Sequence, residues 1–374
     1  MLPHPAPRIA DCFADLVDPR IPRGRRHALL DIVTIAVCGV ISGAESWVEI
    51  AQWGRSKQDW LADWRDLAHG IPSHDTLGRV FARIDPAQFE AGFLRWVQLV
   101  ATGATPEVIA LDGKTVRRSG DTRTGKRPLH LVSAWASAQR LVLAQAAVET
   151  KDNEITTLPV LLQRLDLTDQ VVTIDAIGCQ KEIAAQIVGG GGDYVLALKA
   201  NHPEVLEDVI DSFAVAAVPD HVNRTVEKNH GRLEARVCAT ISDPAVIAWL
   251  EPDGQWTGLR TIVRVTAART VGAQAPTTAV RYYLTSLPGA AKPIAEAVRS
   301  HWGIENGLHW VLDMAFREDE CRARVGHRAA NLAVLRKLAL TLIRQDRTRT
   351  VGVKASRMKA AWDTGYLLDL LGAA

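Results

Sequence analysis

The sequence has little of what marks secreted, disulfide-bonded or membrane proteins. Its five cysteines stand singly, so they form neither a zinc-ligand pair nor a disulfide framework. The first residues lack the basic-then-apolar pattern of a signal peptide. The longest apolar run, residues 28–44, contains Asp31 and predicts a buried helix, not a membrane span. We therefore expect a protein of the reducing cytoplasm that does not associate with a membrane.

A large charge of one sign is also missing. The 374 residues are enough for two or three domains, and their net charge is only +2. Lysine and arginine are nevertheless clustered, in residues 22–27, 117–118, 322–328 and 344–359. Such clusters can neutralise phosphates locally, whereas solvated surface is the simpler interpretation of any single cluster. Net charge alone therefore says little about partners.

The first third of the chain has the pattern of a helical domain. Apolar residues recur at helical spacing over residues 29–36, and tryptophans are mixed with charges over residues 47–67. Ser73 is a predicted N-cap for a helix over residues 77–84. Nothing in this region suggests a reaction centre. We predict an all-α N-terminal domain over residues 1–105, with DNA binding as one interpretation.

After residue 107 the pattern changes to short apolar strands and helices. Strands are predicted over residues 108–111, 129–136, 141–148, 171–175 and 194–198, and helices over residues 155–165 and 180–188. Three strands in succession predict an antiparallel meander, and the two later apolar runs are typical of buried parallel strands. This order of elements is that of a ribonuclease H-like α/β core.

Beyond residue 200 the sequence favours strands before it returns to helices. Segments 236–241, 259–266 and 279–284 predict an inserted β-rich subdomain, and helices are predicted over residues 294–314, 329–344 and 355–371. The predicted division is the N-terminal domain, a catalytic core over residues 106–200 and 285–345, the insertion over residues 201–284 and a helical tail over residues 346–374.

Three carboxylates occupy related positions in this topology. Asp112 and Asp175 are predicted to end the first and fourth core strands, which are neighbours, and Glu305 lies on the late helix that packs across their edge. Taken singly, each has a simpler interpretation as a turn residue, a helix cap or a surface residue. Taken together, they favour a site for Mg²⁺ or Mn²⁺, because hard cations prefer carboxylate oxygens. Two such ions, about 3.5–4 Å apart, can drive in-line displacement at a phosphodiester.

Other polar side chains accompany these carboxylates. At helical spacing His301 and His309 share a face with Glu305, where they could orient water or phosphate; capping, or stacking between Trp302 and Trp310, is the alternative. Basic residues near the predicted site are candidate DNA contacts, with plain surface charge as the alternative: Lys114, Arg117, Arg118, Lys199, His230, Arg232 and Arg299. Cys179 has the position of a small buried residue, not of a nucleophile.

These motifs resemble those of the H-repeat-associated, ISAs-type insertion-sequence transposases. Residues 111–119 (LDGKTVRRS) and 173–180 (TIDAIGCQ) are similar to the family's two aspartate motifs. Residues 301–313 (HWGIENGLHWVLD) resemble its glutamate helix, and residues 72–76 (PSHDT) resemble its associated N-terminal domain. Residues 193–201 and 230–234 are similar too, so the resemblance covers nearly the whole chain.

The resemblance implies a bacterial DDE transposase that cuts and joins DNA at terminal inverted repeats, with Asp112, Asp175 and Glu305 as its metal-binding triad. We expect two Mg²⁺ or Mn²⁺ ions, double-stranded DNA of the element ends and target as partner, a homodimer in the DNA complex, and a location at the nucleoid. Hairpin-forming relatives carry Tyr, Arg and Lys where this sequence has Val298, His301 and Leu312, so the resemblance does not extend to a hairpin intermediate.

Two other functions fit the same residues. One is a catalytically retired transposase that acts as a sequence-specific DNA-binding protein. The other is a general nuclease of the same fold, which would cleave without end-sequence preference and without strand joining.

Overall fold

The computed structural model describes residues 11–100, 107–148, 154–216, 218–229, 231–272, 274–346 and 348–372. The helices that precede the first strand are α1 (Leu29–Ile41), α2 (Trp47–Ser56), α3 (Gln58–Ala62), α4 (His74–Phe81) and α5 (Pro86–Val100). Ser73 caps α4 through a 3.3 Å hydrogen bond from the Thr76 amide, so the predicted cap is confirmed, although the helix begins at His74.

α1 contains most of the long apolar run, and it is buried along most of its length. Its one charge, Asp31, accepts a 2.7 Å hydrogen bond from Nε of Arg65, because a buried carboxylate needs a partner. The predicted buried helix is confirmed. Among the described residues, no helix is both long and apolar enough to cross a membrane.

The described strands form one mixed sheet with helices around it. The strands are β1 (Val108–Val116), β2 (Leu129–Ala136), β3 (Leu141–Val148), β4 (Val171–Ile174), β5 (Asp193–Leu198), β6 (His221–Asn229), β7 (Arg232–Ile241), β8 (Thr261–Val271) and β9 (Thr277–Thr285). Their order across the sheet is β3-β2-β1-β4-β5-β9-β8-β7-β6. β1, β4 and β5 are parallel neighbours, and the first three strands form the predicted antiparallel meander.

The β-rich segments beyond residue 200 continue this sheet. β9 pairs antiparallel with β5, from Val195 opposite Thr285 to Leu198 opposite Tyr282. β6 was not predicted, because its residues are mostly polar and exposed and show no apolar alternation. Two helices in this region were also missed, α8 (Pro203–Val215) and α9 (Pro244–Leu250).

Helices cover both faces of the sheet. The helices within and after it are α6 (Glu154–Leu162), α7 (Lys181–Gly189), α10 (Ala291–His301), α11 (Trp310–Phe316), α12 (Arg328–Gln345), α13 (Val353–Trp362) and α14 (Thr364–Gly372). One buried cluster joins α1, α5 and α12 to Leu131 and Trp135 of β2. A second, on the other face, joins Ile109 and Leu111 of β1 to α6 and α7. The core strands are therefore buried on both sides, as their continuous apolar sequence predicts.

Two predicted helices are not single continuous α-helices. The late helix changes its geometry after α10, because residues Glu305–His309 form a π-turn before α11 starts at Trp310. The predicted tail helix is two helices, α13 and α14, because Asp363 adopts extended backbone between them and caps the Tyr366 amide at 3.0 Å. In both places the apolar periodicity of the sequence continues without change. The change in backbone geometry depends on local capping or on tertiary contacts, which periodicity does not reveal.

Candidate active site

Asp112 and Asp175 stand at neighbouring positions, at the point where the pairing of β1 with β4 ends. The parallel pairing of β1 with β4 ends at Leu111 opposite Ile174. Asp112 is the next residue of β1, and Asp175 directly follows the last residue of β4. The prediction that Asp112 ends its strand is wrong, because β1 continues to Val116 and pairs Asp112 with Ser133 of β2. The two carboxylates nevertheless stand where the parallel ladder opens, so the sheet itself sets their spacing.

Glu305 reaches the same place from the π-turn. A cavity of about 230 Å³ is lined by all three carboxylates and by further residues of β4, β5, β9 and α10: Asp112, Asp175, Glu305, Thr173, Lys199, Arg281, Tyr283, Val298, His301 and Trp302. The structure therefore brings together the three acidic residues that the sequence singled out. The three carboxylates line one cavity, but they are not close enough to one another to hold a metal ion as they stand. The same is true of every other group of acidic, histidine and cysteine side chains in the described residues.

Asp175 also has a local structural role. Its Oδ1 accepts a 3.1 Å hydrogen bond from the Ile177 amide and so caps a short 3₁₀ helix over Ala176–Gly178. The simpler interpretation of Asp175 as a helix cap is therefore confirmed. A carboxylate offers about four lone-pair sites, so this hydrogen bond is compatible with a further ligand.

Two histidines lie near the acidic residues, one on α10 and one at the end of the π-turn. Nε2 of His309 lies 3.2 Å from Oδ2 of Asp112, and only 5% of His309 is exposed. Nδ1 of His301 is 3.0 Å from Oγ1 of Thr173. Burial lowers the pKa of His301 against the opposing charges of Asp112 and Asp175, so this imidazole is neutral near pH 7. The stacking alternative is present as well, since the His301 and Trp302 rings meet edge to face at 6.2 Å.

Lys114 does not face the cavity. Its Nζ lies 2.5 Å from Asp313, 3.0 Å from Glu318 and 3.5 Å from Asp319, and 11% of the side chain is exposed. These three carboxylates neutralise the Lys114 ammonium inside the protein. The contacts of Lys114 in this structure are therefore ion pairs within the fold. Arg117 pairs with Asp319 at 3.2 Å but keeps 81% of its side chain exposed, and Arg118 is exposed beside it.

The remaining basic candidates lie around the cavity or in a neighbouring groove. Lys199 lines the cavity and is exposed. Arg232 and Arg299 line a groove of about 610 Å³ between α10 and strands β6 to β9, where Arg299 is 3.1 Å from Glu227. His230 lies outside the described residues. Cys179 is buried, and burial raises its pKa to about 12, which agrees with a packing role.

The sequence matches two neighbouring families. Residues 10–97 match the family described as "DDE_Tnp_1-associated", and residues 103–342 match the family described as "Transposase DDE domain". The chain belongs to the DDE transposase family. The resemblance found in its motifs is thereby confirmed.

Curated proteins that are similar to this chain agree with the family assignment. The chain is 36% identical to the "H repeat-associated putative transposase YhhI" of Escherichia coli (strain K12) over 92% of each chain. It is 38% identical to the "Putative transposase YncI" of Escherichia coli O157:H7, over 92% of this chain and 90% of that one. A solved piggyBac transposase synaptic complex with hairpin DNA aligns at a TM-score of 0.47 and 10% identity, over 97% of this chain and 81% of that one, a likeness too weak to carry an argument.

Sequence reasoning missed two residues of the cavity, Arg281 and Tyr283. Both lie on β9, and Arg281 stacks on the Trp302 ring with its guanidinium carbon 5.0 Å from the ring centroid. They also line the larger groove, so β9 joins the two spaces. No motif in the sequence marks them, since only the pairing of β9 with β5 brings them beside the aspartates.

Proposed function

We propose that this chain catalyses metal-dependent DNA strand cleavage and strand transfer at the terminal inverted repeats of a bacterial insertion sequence. The observation that carries the proposal is the meeting of Asp112, Asp175 and Glu305 at one cavity, although they lie far apart in the sequence. Family membership supports a transposase, and the acidic cavity supports the chemistry that we assign to it.

The core that positions the triad is, we propose, ribonuclease H-like. Its support is the sheet order β3-β2-β1-β4-β5 with an antiparallel meander followed by parallel strands. Residues 1–105 would form the associated N-terminal domain, residues 106–200 and 285–345 the core, residues 201–284 the insertion and residues 346–374 the tail. A homodimer is proposed for the DNA complex, since an element has two ends.

The cavity fits divalent metal by donor chemistry. Asp112, Asp175 and Glu305 offer hard carboxylate oxygens, which suit Mg²⁺ or Mn²⁺, and these residues would hold the proposed pair of ions. When bound, the ions supply an activated water or 3′-hydroxyl and stabilise the leaving oxygen. Negative carboxylates repel one another, so we do not expect them to reach coordination distance without a cation.

The protein's own residues would orient these groups and hold the DNA. His309 would help to hold the Asp112 carboxylate in place, because its Nε2 is 3.2 Å from Oδ2. The groove beside the cavity carries arginines on its strands and on α10, among them Arg232, Arg281 and Arg299. Guanidinium groups suit phosphate oxygens, so we propose that the backbone of an element end follows this groove to the cavity.

Cleavage of element-end DNA by the full chain tests the proposal. With Mg²⁺, wild-type protein should nick and join these ends, whereas Asp175→Asn should abolish both steps. Asp211→Asn is the matched control, because Asp211 is an exposed acid on α8 away from the cavity. Metal-dependent cleavage that survives Asp175→Asn would overturn the assignment.

The same experiment separates the other two functions. Specific binding of inverted repeats with no cleavage by the wild-type chain would indicate a retired, DNA-binding transposase. Cleavage of unrelated DNA at the same rate, with no strand joining, would indicate a general nuclease. Gel-shift and strand-transfer assays on matched end and scrambled duplexes distinguish these outcomes.

A further inference from the structure

The segment that carries Glu305 departs from α-helical geometry. Between α10 and α11, residues Glu305–His309 form a π-turn in which the Trp310 amide donates to the Glu305 carbonyl, five residues earlier. Such turns are rare, occur as single turns within helices and are frequent at functional sites. Residues of β2 and α12 contact this turn at Gly307.

The first contact is a close approach of an indole to a glycine. Trp135 of β2 is 2% exposed. A Cβ added at Gly307 would stand 3.2 Å from Cζ2 of Trp135, which is tighter than ordinary van der Waals contact. A Cβ added at Gly303, one turn earlier, would stand 3.9 Å from Nε1 of Trp135, an ordinary distance. Only glycine therefore fits at position 307 without displacement of the indole.

The second contact is a guanidinium. Nη2 of Arg344, near the end of α12, donates a hydrogen bond to the Gly307 carbonyl. The guanidinium carbon of Arg344 lies 4.9 Å from the centre of the Trp135 ring, so the two side chains stack. Burial lowers the pKa of Arg344 to about 10, and the group remains charged at neutral pH.

Both contacts originate in rigid parts of the fold. Trp135 belongs to a strand that is paired on both sides, with β1 and with β3. α12 is buried over most of its eighteen residues and packs against α1 and α5. A third tie, from Oγ of Ser137 to the Ser300 carbonyl at 3.2 Å, fixes the preceding helix to the end of β2.

We propose that Trp135 and Arg344 are positioning residues, which clamp the π-turn at Gly307 and thereby set where Glu305 stands relative to Asp112 and Asp175. This inference rests on the proposed function, because it takes Glu305 to be a member of the triad. The clamp has no direct contact with the cavity and acts through the backbone of the turn.

Hydrogen exchange of the full chain without DNA or metal tests the clamp directly. Arg344→Met should accelerate exchange of the amides over residues 303–311 by about tenfold, since it removes a hydrogen bond from a charged donor. Arg328→Met is the matched control, because Arg328 lies on the same helix and donates a 2.6 Å hydrogen bond to the Gly78 carbonyl, away from Glu305. The amides of α7 report any global loss of stability. Unchanged exchange of residues 303–311 in Arg344→Met would overturn the clamp.

A pair of glycine variants tests the functional consequence. Gly307→Ala should raise the Mn²⁺ concentration for half-maximal cleavage by about tenfold or more, as expected when a residue that orients a ligand is disturbed. Gly303→Ala, which adds the same methyl group without the close contact, should remain within about twofold of wild type. Affinity for element-end DNA in Ca²⁺ should be the same in both.

The outcomes separate this inference from the proposed function. If Glu305→Gln cleaves like wild type, the triad fails. If Glu305→Gln is inactive while Gly307→Ala behaves like wild type, the triad stands and the clamp fails. Arg344 also lines a second cavity together with Arg140. A loss of DNA affinity in Arg344→Met with unchanged hydrogen exchange would therefore identify a phosphate contact and overturn the clamp.

Discussion

Two groups of acidic side chains lie close to strand β1, and they differ in what neutralises them. Asp112, Asp175 and Glu305 line a cavity of about 230 Å³. A second group, Asp313, Glu318 and Asp319, closes around Lys114, which is two residues beyond Asp112 on the same strand. Alternation along the strand directs Asp112 and Lys114 to the same side of the sheet, so neighbouring positions serve opposite purposes.

The difference shows how to read a cluster of carboxylates. Acids that surround a buried ammonium are satisfied by the protein and stabilise the fold only as a complete set. Acids that line a cavity leave room for a cation from outside, and such sites are candidates for catalysis. Substitutions of Asp112, Asp175 or Glu305 should therefore lower the activity. Substitutions of the acids around Lys114 should lower the stability of the fold.

The largest expected effect is on catalysis. Asp112→Asn should lower the rate of element-end cleavage on the order of a thousandfold or more, because metal-ion catalysis contributes several kcal/mol to transition-state stabilisation. Its melting temperature should equal or exceed that of wild type, since one of three mutually repelling charges is lost. Asp313→Asn, the counterpart in the second group, should keep its activity and melt earlier. Equal activity in the two variants would contradict the comparison.

Lys114→Met should have the largest effect on stability. Removal of the ammonium leaves Glu318 buried without its main partner, which typically costs about 3–5 kcal/mol in the free energy of unfolding. Chemical denaturation measures this loss, and the double variant Lys114→Met/Glu318→Gln should recover part of it. A fully stable Lys114→Met variant with weakened DNA binding would instead favour the DNA contact that the sequence predicted.

His309→Gln should have an intermediate effect. The imidazole lies 3.2 Å from Asp112, and loss of a residue that orients a metal ligand typically costs about 10–100-fold in metal affinity or activity. Mn²⁺ titration of cleavage measures it. Trp310→Phe, at the exposed neighbouring position, is the control and should stay close to wild type.

The second group should also respond to acid. Burial by itself would raise the pKa of Glu318, but Lys114, Arg336 and Lys337 hold it below the ordinary value of 4.5. A depressed pKa means that the stabilisation from Glu318 is fully present above about pH 4.5 and is lost as the pH falls through the folded-state pKa. The stability difference between wild type and Glu318→Gln should therefore shrink below that pH. A difference that grows in acid would contradict the assigned charge state.

The smallest effect is expected at Arg117, which shares Asp319 with Lys114 but is mostly exposed. Arg117→Ala should change the free energy of unfolding by less than about 0.5 kcal/mol, because exposed ion pairs contribute little. If Arg117 contacts DNA, the slope of binding affinity against salt should fall by about one. An unchanged slope would leave it as plain surface charge.

Much of the core was predictable because its signals are local. Apolar runs predicted the strands of the meander and the two parallel strands, and Asp112 and Asp175 directly follow the last paired residues of β1 and β4. β6 escaped detection because it is polar and exposed, and Arg281 was missed because its importance depends on which strand pairs with β5. The ion pairs of Lys114 could not be predicted either, because its partners belong to a segment about two hundred residues later in the chain.

By itself, the sequence determined the family and the order of the strands and helices up to β5, and it singled out three acidic residues, because hydrophobic periodicity and motif spacing are properties of short segments. Only the tertiary structure decided that Lys114 is neutralised inside the protein, that the later strands extend one sheet, and that Glu305 stands on a π-turn against Trp135 and Arg344. The physical reason is that ion pairing, strand pairing and turn geometry depend on partners that folding brings together from distant parts of the chain.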